Sequence, residues 1–106
     1  MKKAERIKKK QEFDDFIKKT KYKKNAFFVI HSNKKREEAS RFGIAVGTKI
    51  GNAVIRNKLK RRVREIINET KNLFQKDQDY IIIVRKQCLD IDYEQMKEKL
   101  TELISR

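Results

Sequence analysis

No proline interrupts this chain, no tryptophan occurs in it, and its 106 residues include one cysteine and one histidine. Cys88 alone cannot close an internal disulfide, and Cys88 with His31 does not supply a metal site. No run of about 18 apolar residues is present to cross a membrane, and the Lys-rich start lacks the apolar stretch of a secretory signal, so the cytoplasm is the expected location. No carboxylate pair, Ser-His-Asp set or His-Lys combination stands at positions suited to hydrolysis. Neither catalytic nor metal-binding residues are therefore expected. There is no internal repeat and no linker. The length suits one domain, 1–106, with a modest two-layer core.

Acidic side chains are also scarce, 15 against 29 Lys and Arg, for a net charge of +14. The imbalance is uneven: residues 1–76 carry 24 basic and 8 acidic groups, whereas residues 77–106 carry 5 and 7. Self-repulsion on that scale is relieved when a polyanion lies against the basic part, which points to nucleic acid or an anionic membrane. A membrane-surface helix needs a wide Leu and aromatic face, and the basic segment lacks one.

That segment is Gly47 to Glu65. Between Arg56 and Arg64 six of nine residues are Arg or Lys and none is acidic, yet Ile55, Leu59 and Val63 recur every fourth position. With about 100° per residue, Ile55, Leu59, Val63, Ile66 and Ile67 form one core-facing stripe. Asn57, Arg61 and Arg64 fall opposite, flanked by Lys58 and Lys60. Asn52 is the expected N-cap, and the helix is expected to run to about Phe74.

Around it, residues 1–10 read as a basic arm, either ordered on a phosphate backbone or a solubilising tail. Residues 11–20 read as a short helix with Phe13, Phe16 and Ile17 on one face; its rings either pack into the core or line a groove where unpaired bases stack. Residues 21–24 read as a short edge strand and 26–32 as a strand, with Phe27, Val29 and His31 on one face and Phe28 and Ile30 on the other. The lone His31 is a strand residue near a surface groove, not a catalytic base. Residues 33–40 read as an exposed connection. In a strand over 41–48, Phe42, Ile44 and Val46 alternate with Gly43, Ala45 and Gly47, and the nearly bare second face admits either a ligand backbone or a shallow packing contact. After a turn at 76–79, residues 80–85 read as a covered central strand. A final helix starts at Asp92 as cap, with Gln95 completing a capping box and Ile91 against Met96 as a staple. The fold class is α+β, in the order α-β-β-β-α-β-α around one small sheet.

With these elements placed, the chain resembles the protein subunit of bacterial ribonuclease P. The resemblance rests on Phe42-Gly43-Ile44-Ala45-Val46 followed by Lys49-Ile50-Gly51-Asn52-Ala53-Val54-Ile55-Arg56-Asn57-Lys58-Leu59-Lys60-Arg61, similar to the family's G-x-x-V and K-x-G-x-A-V-x-R-N-x-x-K-R signature. Arg6-Ile7-Lys8-Lys9 ahead of Glu12-Phe13, and Asp79-Tyr80-Ile81-Ile82-Ile83-Val84-Arg85, support it. It implies a two-layer α/β sandwich whose basic helix makes a left-handed β-α-β crossover, against the usual hand. It also implies a job: assisting endonucleolytic removal of the 5′ leader from precursor tRNA, with the chemistry carried by an RNA subunit and by Mg2+ held mainly by that RNA.

Two surfaces follow from the resemblance. Lys49, Arg56, Asn57, Lys58, Lys60, Arg61, Arg62 and Arg64 would face the ribonuclease P RNA, where Arg forks bridge phosphates. Phe13, Ile17, Val29, His31 and Ala45, with Arg6 and Lys8 nearby, would line a cleft for the single-stranded leader. Ile17 and His31 stand where relatives often carry aromatic rings, and Gly47-Thr48 replaces the more frequent Ser-Lys. The alternative from another class is a structural RNA-binding protein such as a small ribosomal protein; composition favours it and the Arg56-Asn57 signature opposes it. DNA is not an expected partner, because a strand, not a partner helix, precedes Asn52.

Overall fold

A computed structural model describes residues 21–34, 41–76 and 78–106. The arm over 1–10 and the helix expected over 11–20 lie outside the described residues, and with them Arg6, Lys8, Phe13 and Ile17. The described elements are β1 (Tyr22–Lys24), β2 (Phe28–Lys34), β3 (Phe42–Val46), helix α1 (Ala53–Glu69), β4 (Gln78–Val84) and helix α2 (Tyr93–Ile104). Short 3-10 turns occupy Thr48–Ile50, Lys71–Leu73 and Lys86–Asp90.

The strands form one sheet in the order β1-β2-β4-β3. β2 runs antiparallel to β1 and to β4, whereas β3 and β4 are parallel neighbours. A parallel pair cannot be joined by a hairpin, so the chain returns through a crossover, and α1 is that crossover. Strand alternation then assigns two faces. Phe28, Ile30, Phe42, Val46, Tyr80, Ile82 and Val84 meet Leu59, Val63, Ile66 and Ile67 of α1 and Met96, Leu100 and Leu103 of α2 in a single core. α1 lies over β3, α2 lies over β2, and the two helices touch.

The opposite face carries the rows Tyr22–His31–Ile81–Gly43 and Lys24–Val29–Ile83–Ala45, set side by side by the strand register. The bulky and bare faces of β3 are thus as the alternation predicts over 42–46. Phe27 departs from the prediction: it precedes β2, its N–H donates to Asn25 Oδ1 at 2.8 Å, and its ring packs partly against the helix-side core.

Three boundaries also differ. α1 ends at Glu69, five residues before Phe74, because Thr70 turns its Oγ1 hydroxyl back onto the Ile66 carbonyl (2.6 Å) and shares its N–H between Ile66 and Ile67. This tightening leads into the 3-10 turn, after which Phe74 joins Phe42 and Tyr80 in an aromatic trio with centroids 5.0 to 5.7 Å apart. β4 begins at Gln78 instead of Tyr80, since Asp79 is held to the start of β3: its carboxylate accepts from the Arg41 backbone N–H (3.0 Å) and from Nε and Nη2 of the same arginine (3.2 and 2.8 Å). β2 extends beyond Ser32 to Lys34, opposite these same residues.

All three residues of the edge strand β1 are exposed. Lys23 Nζ donates to the Arg106 carbonyl, and Arg106 Nη1 donates to the Lys24 carbonyl at 3.2 Å. Asn25 closes the β1–β2 turn and also donates its side-chain amide to Lys99 of α2 (3.0 Å), fastening the edge to the helical layer.

Candidate nucleic-acid interface

α1 is placed by its two ends. At the start, the Asn52 side chain accepts from the Ile55 N–H at 3.0 Å, the expected N-cap. Gly51 precedes it where a Cβ would stand 3.0 Å from Ile55 Cγ2, so this glycine is set by a close approach and not by its backbone angles. At the far end, Glu69 accepts from the Tyr93 hydroxyl (2.9 Å) and from Lys97 Nζ (2.5 Å), tying α1 to α2. Lys97 first, then Tyr93, holds the Glu69 carboxyl below the usual range. Burial, followed by the bond to Glu69, pushes the Tyr93 phenol up to about 12.

With both ends held, the helix presents its cations away from the sheet. Lys49, Asn57, Lys58 and Arg61 are exposed, while Arg56, Lys60, Arg62 and Arg64 are half-buried. None of these cations is in an ion pair among the described residues. Two of them are partly committed inside the protein. Arg56 Nε donates to the Gly51 carbonyl at 3.2 Å, bracing the turn before the helix. Arg62 Nη1 lies 4.0 Å from Met96 Sδ and leans over the α1–α2 seam. Lys49, Asn57, Lys58 and Arg61 are thus the most exposed to phosphates, with Lys60 and Arg64 half-buried beside them.

Ile55 departs from the expected core stripe. It belongs by angle to the Leu59–Val63 stripe, yet it is 38% exposed, because the buried part of that stripe begins one turn later, at Leu59. Val54 beside it is 76% exposed. The tip of the basic helix is therefore apolar as well as charged.

The second surface lies on the far face of the sheet. Tyr22, Lys24, Val29, His31, Ile83 and Arg85 line a shallow depression of about 420 Å3. His31 is buried, with its ring 5.5 Å from that of Tyr22. Ala45 does not line the depression but adjoins Ile83 across the β3–β4 register. Val29 and His31 are thus brought together as expected, while Ile83, Lys24 and Arg85 were missed. A run of four aliphatics hides which one faces outward until the register to β2 is known; Lys24 and Arg85 gave only the signal of cations ending strands. Arg85 is oriented by donating Nη1 to the Asn25 carbonyl at 2.9 Å.

Cys88 is buried, its Sγ donates to the Phe27 carbonyl at 3.3 Å, and burial pushes the thiol up to about 11. No helix among the described residues is long and apolar enough to cross a membrane.

A one-sheet α+β domain with a row of unpaired cations on one helix and a cation-flanked trough on the opposite face is, by class, a nucleic-acid-binding protein. Comparison with known proteins narrows the class. The family model for Ribonuclease P matches residues 1–106. The ribonuclease P protein component of Bacillus cereus (strain G9842) is 42% identical over 107 residues, covering 100% of this chain and 93% of the relative. The RNase P protein from Thermotoga maritima superimposes with a TM-score of 0.86 at 36% identity, over 96% of each chain. That of Staphylococcus aureus gives 0.88 at 35% identity, over 96% of this chain and 94% of the other. The chain belongs to the ribonuclease P protein family, the protein component of an endoribonuclease whose role is maturation of the tRNA 5′ end.

Proposed function

We propose that the protein docks α1 on the ribonuclease P RNA and receives the 5′ leader of precursor tRNA on the opposite face of its sheet. The observation that carries this reading is the division of the molecule: the outer cations of α1 and the Val29–His31–Ile83 depression lie on opposite sides of one rigid sheet. One molecule can therefore touch a large folded RNA and a single strand at the same time without the two competing for one surface. On α1, Asn57, Lys58, Arg61 and Arg64 engage phosphates, supported by Lys49 and Lys60, while Arg56 and Arg62 hold the helix in place as well as adding charge. In the depression, Tyr22 offers a ring for stacking and Lys24 and Arg85 track the backbone, which suits leaders of differing sequence. Arg6, Lys8, Phe13 and Ile17 are assigned to this second surface from the family resemblance alone.

The hydrolytic chemistry is assigned to the RNA. Mg2+, when bound, supplies the activated water and stabilises the leaving oxygen. Among the described residues no three His, Cys, Asp or Glu side chains gather in one place. The protein's part is to bind, to orient the leader and to neutralise phosphate repulsion between the two RNAs. The cytoplasm, where precursor tRNA is made, is the proposed location.

The test is reconstitution with the ribonuclease P RNA of the same source at low Mg2+. Added protein is expected to restore leader removal from precursor tRNA, and protein alone to cut nothing. Absence of stimulation at any protein-to-RNA ratio would leave only a structural RNA-binding role.

A further inference from the structure

The sheet has a second concavity, on its helical side and separate from the leader depression. It measures about 330 Å3, in the range of pockets that hold small ligands. Ile30 and Tyr80 form its buried floor, and Leu73 and Ile104 its apolar walls. Gln75 and Gln78 stand on the rim, where the Gln78 side-chain amide donates to Gln75 Oε1 at 2.6 Å, so the two amides are held as a pair. Lys21 and Lys23 stand on the edge-strand side. Lys23 is engaged by the Arg106 carbonyl, whereas Lys21 is exposed and has no ion-pair partner among the described residues.

We propose that this pocket binds one unpaired nucleotide of a single-stranded RNA. An apolar floor with an aromatic edge accepts a base, paired amides read donors and acceptors on its rim, and a free ammonium meets the adjoining phosphate. Charge complementarity and continuity favour RNA as the occupant. The exposed ring of Tyr22 borders both this pocket and the leader depression, and among the described residues β1, a strand of three residues with Lys23 and Lys24, lies between them. A strand leaving the depression over β1 crosses cations and arrives at the pocket. The inference rests on the reading of the far face as a single-strand site, and it extends that path around the sheet edge.

The experiment uses the full chain and an unstructured oligoribonucleotide carrying 4-thiouridine at successive positions. Photocrosslinks are mapped to single residues and affinity is measured by fluorescence anisotropy. Crosslinks are expected at Leu73, Gln75 or Tyr80 as well as at Val29 or Ile83. Leu73→Glu, which places a carboxylate on the apolar wall against the base, should lower affinity about tenfold and remove the first group of crosslinks only; Lys21→Ala should weaken binding about threefold and flatten its salt dependence. Thermal denaturation of each variant, together with the exposed Lys21 substitution, guards against loss of fold. Wild-type affinity in both variants, or crosslinks confined to the far face and α1, would overturn the proposal. Because binding of a single strand by the protein alone is measured, failure here is distinct from failure to stimulate leader removal.

Discussion

Leu59→Ala and Ile55→Ala, one helical turn apart on the same stripe, should differ several-fold in their cost to stability. Leu59 is 3% exposed in the core, and Ile55 is 38% exposed in the first turn of α1. Truncating a buried leucine costs about 2–5 kcal/mol, depending on how far the cavity collapses. Leu59 is the first buried residue of α1, so a cost in the lower half of that range, about 3 kcal/mol, is expected. Ile55 surrenders only partly buried surface and its contact with Gly51, which places its cost below about 1 kcal/mol. Urea denaturation followed by far-UV circular dichroism measures both at moderate salt, which limits self-repulsion. With a slope near 1 kcal/mol/M, as is usual for small proteins, the midpoint should fall by about 3 M for Leu59→Ala and by less than about 1 M for Ile55→Ala. Equal losses would mean that the first turn of α1 is buried after all, and would refute the picture of an exposed first turn.

Arg61→Ala and Lys58→Ala should each weaken binding to the ribonuclease P RNA and reduce the slope of log affinity against log salt by roughly 0.7–0.9, with an unchanged denaturation midpoint; an unchanged slope would mean that neither side chain touches phosphate. Phe13→Ala should weaken precursor tRNA relative to mature tRNA by about 1–3 kcal/mol if a base stacks on the ring, and equal losses for both tRNAs would place Phe13 in the core. Asp79→Ala should cost about 2–3 kcal/mol by leaving the three Arg41 donors without this carboxylate, a figure reduced because Arg41 is itself partly exposed. The Cys88 thiol is pushed up to about 11 when folded, so between the ordinary thiol range near 8.5 and about 11 the unfolded chain loses a proton that the folded chain keeps. Stability should therefore fall as pH rises through that window; Cys88→Ala should lessen the fall, and an identical pH profile in the variant would show that the thiol is not the cause.

The local rules that carried most of the fold were those whose signal is short in range. The Asn52 cap, the Asp92–Gln95 capping box and the bulky-and-bare alternation of β3 all lie within a few residues of one another, and all are found as the sequence suggests. What the sequence hid depends on partners far away along the chain. Helical angle puts Ile55 in line with Leu59 and Val63, but where along that line burial begins is a tertiary fact. The same holds for the end of α1, where Phe74 is drawn into a trio with Phe42 and Tyr80. It holds again for Ile83, whose outward face follows only from its pairing with Val29. The basic helix was legible as a site because charge density needs no partner to be seen. The trough and the second pocket were not, since each is assembled from strands that meet only in the folded sheet.

The edge strand has a consequence for assembly. An uncovered strand edge normally invites another chain to continue the sheet. β1 offers only three residues, two of them lysines, and the Arg106 guanidinium already occupies the Lys24 carbonyl. A second copy approaching along this margin would find too few free backbone groups to build a ladder and a matching set of positive charges against it. Along this margin the sheet is accordingly closed to strand-by-strand growth, a safeguard that holds even when other cations of the molecule have been neutralised by phosphate.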